Sequence, residues 1–188
     1  DGKNAIPAIH ALHTLDGLNG LSFGLLQKVT ASGGDPMLTA HALLLLEKYN
    51  TKDYVKQMME IANNLMSKND TVVNLYLAIS LGSWDSVSKE TVLPILAKLS
   101  QAYPSNAVFQ EAIVSSLKGM EEEFKTLMNK MNDGKGSTDL VMNMLNQAIE
   151  NKQNKNINSI FLPQRKVQMF GVQKGYVIYR STCSVCHG

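Results

Sequence analysis

The chain has 188 residues, of which 44% are hydrophobic and 18% charged, a balance that can form a globular core. A formal net charge of +2 without any run of basic residues argues against a nucleic-acid-binding surface, and no apolar stretch is long enough to span a membrane. Only 6% of residues are aromatic, while Leu, Ala and Met are common, which favours helices over strands.

Apolar residues recur at helical spacing along most of the chain, between breaks that are rich in Gly, Pro, Asn and Asp. In the first helix we expect Ile6, Ile9, Leu12 and Leu15 to share one face. Asp35 followed by Pro36 is typical of an N-cap and a first helical residue. The predicted helices cover residues 4–15, 21–30, 36–49, 53–67, 70–84, 86–102, 107–117, 120–132 and 137–151.

The first helix of each predicted pair begins near residue 4, 36, 70 or 106, a period of roughly 32 to 36 residues that is typical of helical-hairpin repeats. Because one hairpin cannot bury its apolar face alone, we predict stacked antiparallel helix pairs, a HEAT/armadillo-like α-solenoid within an all-α fold. The alternative is an irregular helical bundle. A weak internal signature favours the stack, in which paired apolar positions recur as Ala11 and Leu15, Ala42 and Leu46, Leu77 and Leu81, and Ile113 and Leu117.

The composition changes after the last predicted helix, where residues 151–156 are all Asn, Lys or Gln. We therefore predict a helical repeat domain over residues 1–153, a linker over 154–166 and a separate segment over 167–188. The N-terminus has neither a start methionine nor a signal-peptide pattern, so we expect the chain to be an excised piece of a larger protein.

Residues 183–187 read Cys-Ser-Val-Cys-His, the C-x-x-C-H signal for covalent attachment of a c-type haem. Cys183 and Cys186 would each form a thioether to a haem vinyl group, and His187 would be the proximal ligand of the iron. These are the only two cysteines of the chain. The competing interpretations are a dithiol redox pair, which would call for a thioredoxin-like βαβ context, and half of a zinc site, which would need further Cys or His ligands.

The remaining histidines and methionines have simpler explanations. His10 and His13 are three residues apart and can share a helix face, but metal binding would need a third ligand, so we interpret them and His41 as ordinary helix residues. Met169 lies upstream of the haem motif and is expected to be a packing residue, and the other methionines are expected to fill the helix core. No catalytic residues are predicted.

The segment before the cysteines, Gly175-Tyr176-Val177-Ile178-Tyr179, resembles the first helix of a class I cytochrome c domain. The resemblance implies that residues 167–188 are the truncated beginning of such a domain. It also implies that Gly175 allows close helix packing and that Tyr179 lies near the haem.

Three helical stretches, residues 8–18, 40–47 and 74–82, resemble the HEAT-like repeats of large secreted bacterial haem proteins. In that family a glucose/sorbosone-dehydrogenase-like β-propeller precedes the repeats and a cytochrome c domain follows them. The resemblance implies a scaffold for haem-mediated electron transfer, with a fused cytochrome c domain, an upstream dehydrogenase domain and a periplasmic or other extracytoplasmic location. A protein–protein interaction scaffold without any role for haem is the alternative. Haem c is expected in the full-length parent, and none in this 188-residue chain produced in the cytosol.

Overall fold

The structure is a computed structural model that describes residues 5–84, 87–131 and 139–161, and these residues form helices and no strand. The all-α prediction is therefore confirmed. The α-helices are α1 (Ile6–Gly17), α2 (Phe23–Ala31), α3 (Pro36–Leu45), α4 (Val55–Ser67), α5 (Thr71–Leu81), α6 (Lys89–Ala102), α7 (Ala107–Ser116), α8 (Glu121–Met131) and α9 (Asp139–Phe161). Two short 3₁₀ segments, Leu46–Tyr49 and Lys52–Tyr54, connect α3 to α4.

Side-chain caps explain where several helices begin. The Asp35 carboxylate accepts hydrogen bonds from the backbone N–H groups of Met37 (2.8 Å) and Leu38 (3.3 Å), and Pro36 occupies the first turn. Asp70 caps α5 and Asn106 caps α7 in the same manner. Such caps satisfy backbone donors that have no partner inside the helix, and each contributes about 1 kcal/mol. The N-cap predicted at Asp35 is therefore confirmed.

The odd-numbered helices pack on one another in chain order: α1 contacts α3, α3 contacts α5, and α5 contacts α7. Even-numbered helices also contact one another, α2 with α4 and α6 with α8. Consecutive helices pack together as well, α2 on α3, α4 on α5 and α6 on α7. Helices α2 to α7 thus each meet a neighbour in sequence and a helix two positions away.

From the second repeat onward, the residues of the internal signature belong to the buried core. Ala42, Leu46, Leu77, Leu81, Ile113 and Leu117 are all buried. The run of leucines at the end of α3 and the start of the next 3₁₀ segment is buried at Leu43, Leu45 and Leu46, as its continuous apolar character predicts, and Leu44 is half-buried. Trp84, the single tryptophan, follows α5 and is 1% exposed.

The first helix differs from the prediction. Ile6 is 58% exposed and Ala11 is also exposed, so the expected apolar face of α1 is buried only at Leu12, with Ile9 and Leu15 half-buried. The physical reason is that α1 packs chiefly on α3, whereas α3 and α5 each have neighbours on two sides.

Several helix boundaries also differ: α3 ends at Leu45, where a 3₁₀ segment continues to Tyr49, and α6 begins at Lys89 rather than at residue 86. Helix α5 ends at Leu81 rather than near Trp84, and α9 continues to Phe161, ten residues beyond its predicted end at Asn151. Polar residues such as Lys, Gln and Asn lower helix propensity only modestly, and the next proline is Pro163, so nothing in residues 151–161 forces a break. The helix therefore includes the first residues of the predicted linker.

The chain divides into two compact units, Asp1–Glu150 and Asn151–Gly188. Helices α1 to α8 belong to the first unit. The residues predicted as the beginning of a cytochrome c domain, 167–188, lie outside the described residues.

Candidate functional site

The predicted haem-binding residues Cys183, Cys186 and His187 lie outside the part of the chain that the structure describes, as do Gly175 and Tyr179. Their roles therefore stay predictions from the sequence. Met169 lies outside it as well. Among the described residues, the features of chemical interest are a histidine pair, a row of exposed apolar residues and a buried polar junction.

The histidine pair joins two helices that are distant in sequence. Nε2 of His13, on α1, lies 3.0 Å from Nδ1 of His41, on α3, and the two rings are nearly perpendicular with centroids 5.1 Å apart. His13 is exposed and His41 is half-buried. Burial lowers the pKa of His41 below its ordinary value of 6.5, and the nearby His13 lowers it further. Both effects favour a neutral imidazole at His41 at neutral pH.

An ion pair joins α1 to the 3₁₀ segment that follows α3. Nζ of Lys48 is 2.6 Å from a carboxylate oxygen of Asp16. Together with Leu12, the only buried residue of α1, these contacts hold α1 against α3 and the 3₁₀ segment after it. We call His13, His41, Asp16 and Lys48 the histidine seam.

The sequence did not predict the pairing of His13 with His41. It shows only that His10 and His13 are three residues apart on one helix, and both are exposed on α1. The structure brings His13 to His41, across 28 residues. The contact depends on the packing of α1 against α3, and the periodicity of either helix alone carries no signal of it.

Four exposed apolar residues occupy one position of the repeat. They have the spacing of the internal signature, since 6, 37, 72 and 108 are each five residues before Ala11, Ala42, Leu77 and Ile113 respectively. Each lies within the first two residues of an odd-numbered helix. We call this set the apolar ladder: Ile6 (58% exposed), Met37 (40%), Val72 (38%) and Val108 (60%).

A buried polar junction connects α6 to α7. The Gln110 side chain, fully buried, accepts a hydrogen bond from Oγ of Ser100 (2.7 Å) and donates to the carbonyls of Ser100 (3.1 Å) and Tyr103 (2.8 Å). The Tyr103 hydroxyl in turn accepts from Nδ2 of Asn74, on α5, at 3.0 Å. Because the last carbonyls of α6 have no partner inside that helix, Gln110 acts as its C-terminal cap from the next helix.

Comparison with protein-family models, with curated proteins and with solved structures found no match. Within the described ranges, three or more His, Cys, Asp or Glu side chains are nowhere arranged to hold a metal ion. No helix in those ranges combines the length and the apolar character that crossing a membrane requires.

Proposed function

We propose that this chain is the helical-repeat scaffold segment of a c-type-cytochrome-containing protein, with haem attached through Cys183 and Cys186. The observation that carries the proposal is the sequence Cys-Ser-Val-Cys-His at residues 183–187. It uses both cysteines of the chain, and Gly188 follows the histidine.

The donor set suits haem. Two thiols separated by two residues match the two vinyl groups, and the adjacent imidazole of His187 is the usual proximal ligand. When bound, the haem would supply a one-electron redox centre. Cys183 and Cys186 would hold the haem through thioethers, and His187 would be the axial ligand of its iron.

The helical part supports a scaffold role. The ordered contacts α1–α3–α5–α7, together with those of α2 with α4 and α6 with α8, favour stacked antiparallel pairs of the HEAT/armadillo type. Electron transfer requires short and constant distances between redox centres, and a stack of packed helices would maintain them. A dehydrogenase domain upstream of the repeats would be the electron donor, and the whole would be periplasmic or otherwise extracytoplasmic in a bacterium.

The test is production of the complete reading frame in a periplasmic expression host that carries a cytochrome c maturation system. We expect one covalently bound haem, seen as haem-dependent peroxidase staining of the denatured polypeptide and as the matching mass increase. Cys183→Ser combined with Cys186→Ser should abolish both signals, because no thioether can form.

The matched control is His10→Ala, which changes an exposed histidine of α1 and should leave haem attachment intact. A folded wild-type protein without covalent haem, made alongside a correctly matured reference cytochrome, would contradict the proposal. Equal haem content in the double cysteine variant would contradict it as well.

A protein–protein interaction scaffold without a haem role is the second candidate, and the apolar ladder favours it. Surface apolar residues are ordinary when scattered, but Ile6, Met37, Val72 and Val108 recur at one repeat position and form a set. Under this alternative, Val72→Asp with Val108→Asp would abolish association with a partner in the native host. Under the haem proposal, the same pair would leave haem content unchanged.

A further inference from the structure

The contact between His13 and His41 is a hydrogen bond between two titratable rings. Nε2 of His13 and Nδ1 of His41 are 3.0 Å apart, so one nitrogen carries a proton and the other accepts it. A neutral imidazole has one donor and one acceptor nitrogen, whereas a protonated ring has two donors and no acceptor. The bond therefore tolerates one additional proton on the pair, and it cannot form when both rings are protonated.

The two rings differ in how readily they take up a proton. His13 is exposed and lies one helical turn before the carboxylate of Asp16. His41 is half-buried, and both its burial and the neighbouring His13 lower its pKa below the ordinary value of 6.5. The first proton therefore goes to His13, whose Nε2 then donates to neutral His41 in a charge-assisted hydrogen bond. A second proton, on Nδ1 of His41, removes the acceptor and brings two positive charges face to face.

The surrounding charges do not offset the second proton. The elements packed chiefly against α3 are α1, α2, α5 and the 3₁₀ segment that follows it. Besides His13, the groups in these elements that carry or acquire a charge near neutral pH are His10, Asp16, Lys28, Glu47 and Lys48. Two tyrosines, Tyr49 and Tyr76, complete the titratable groups, and phenols are uncharged where histidines titrate. The lowered pKa of His41 has burial and His13 as its causes, with no compensating carboxylate.

We propose that the bond between His13 and His41 is a pH-sensitive contact that holds α1 on α3 at neutral pH and releases it in mildly acidic solution. Helix α1 buries only Leu12 and contacts chiefly α3, so its local opening costs less free energy than opening of α5 or α7. Detachment exposes both rings to water, where each can be protonated independently. Because the detached state binds more protons, docking is strongest above about pH 6.5 and weakens as the pH falls below that value.

The test is amide hydrogen exchange of the full 188-residue chain at about pH 8 and about pH 5, with each rate expressed relative to the intrinsic rate at the same pH. Both conditions lie above the range in which carboxylates ordinarily titrate, so histidines are the side chains that chiefly change charge. We expect the protection of residues 6–17 to fall about tenfold or more at the lower pH, because a hydrogen bond is replaced by repulsion. The protection of α5 and α7 should stay unchanged.

His13→Gln separates the second proton from other effects of acid. A glutamine amide does not titrate and keeps an acceptor, so Nδ1 of a protonated His41 can donate to it. In this variant the protection of residues 6–17 should stay at the neutral wild-type level at both pH values. His10→Gln is the matched control, since it makes the same change at an exposed position one turn earlier on the same helix, and it should keep the wild-type response to pH.

Equal protection of residues 6–17 at both pH values in the wild-type chain would overturn the proposal. A fall that persists in His13→Gln, or that disappears in His10→Gln, would overturn it as well. NMR titration of the His41 ring is a second measurement, independent of helix docking. The pKa of His41 should be higher in His13→Gln than in the wild-type chain, and an unchanged or lower value would mean that the two rings do not interact.

Discussion

Gly82→Ala is expected to lower the free energy of unfolding by about 1–3 kcal/mol, the range for an extra methyl group forced into a packed site. A Cβ atom at this position would lie 2.7 Å from the Cα of Ser116, closer than carbon atoms approach without displacement. The neighbour is helix backbone of α7, so α5 and α7 would have to move apart. Urea unfolding followed by circular dichroism measures the loss.

Gly24→Ala is the matched control for this substitution. Gly24 lies in α2, and a Cβ there would meet nothing within 4 Å. Alanine has the higher helix propensity, so this change should leave stability unchanged or raise it by up to about 1 kcal/mol. If both variants had the same midpoint of urea unfolding as the wild-type protein, the close approach of α5 to α7 would be disproved.

Gln110→Ala is expected to destabilise the chain by about 3 kcal/mol, because it leaves several buried polar groups without partners at once, each worth about 1–3 kcal/mol. The Ser100 hydroxyl and the carbonyls of Ser100 and Tyr103 would all lose their hydrogen bonds to this side chain. A cavity in place of a fully buried side chain adds to the cost.

The comparison for this variant is Gln147→Ala, the same chemical change at an exposed position of α9. It should alter the free energy of unfolding by no more than about 0.5 kcal/mol. Thermal and urea unfolding of the two variants should therefore differ clearly, and similar midpoints would mean that the polar junction does not hold α6 to α7.

The helices could be predicted from the sequence because their signals are local. Asp35 and Pro36 mark the start of α3 whatever the helix packs against, and the capping residue Asp70 does the same for α5. The exposure of Ile6 could not be predicted, since a regular apolar spacing does not state how many neighbours a helix has.

Some residues of the candidate sites could be recognised from the sequence, and others could not. Cys183, Cys186 and His187 are recognisable because their chemistry requires a contiguous motif. The pairing of His13 with His41 and the burial of Gln110 arise from contacts between helices, so no contiguous pattern announces them. Glutamine side chains are mostly found at the protein surface, so the sequence alone would place Gln110 there.

Trp84 is an intrinsic fluorescence probe of one region of the core. It is the only indole in the sequence and is 1% exposed, so its fluorescence emission reports the core beside the end of α5. Detachment of α1 would reduce the helical circular dichroism signal, while the fluorescence emission of Trp84 would stay that of a buried indole. Coincidence of the two signals during unfolding would show that α1 and the core around Trp84 unfold as one cooperative unit, and separation would show that they do not.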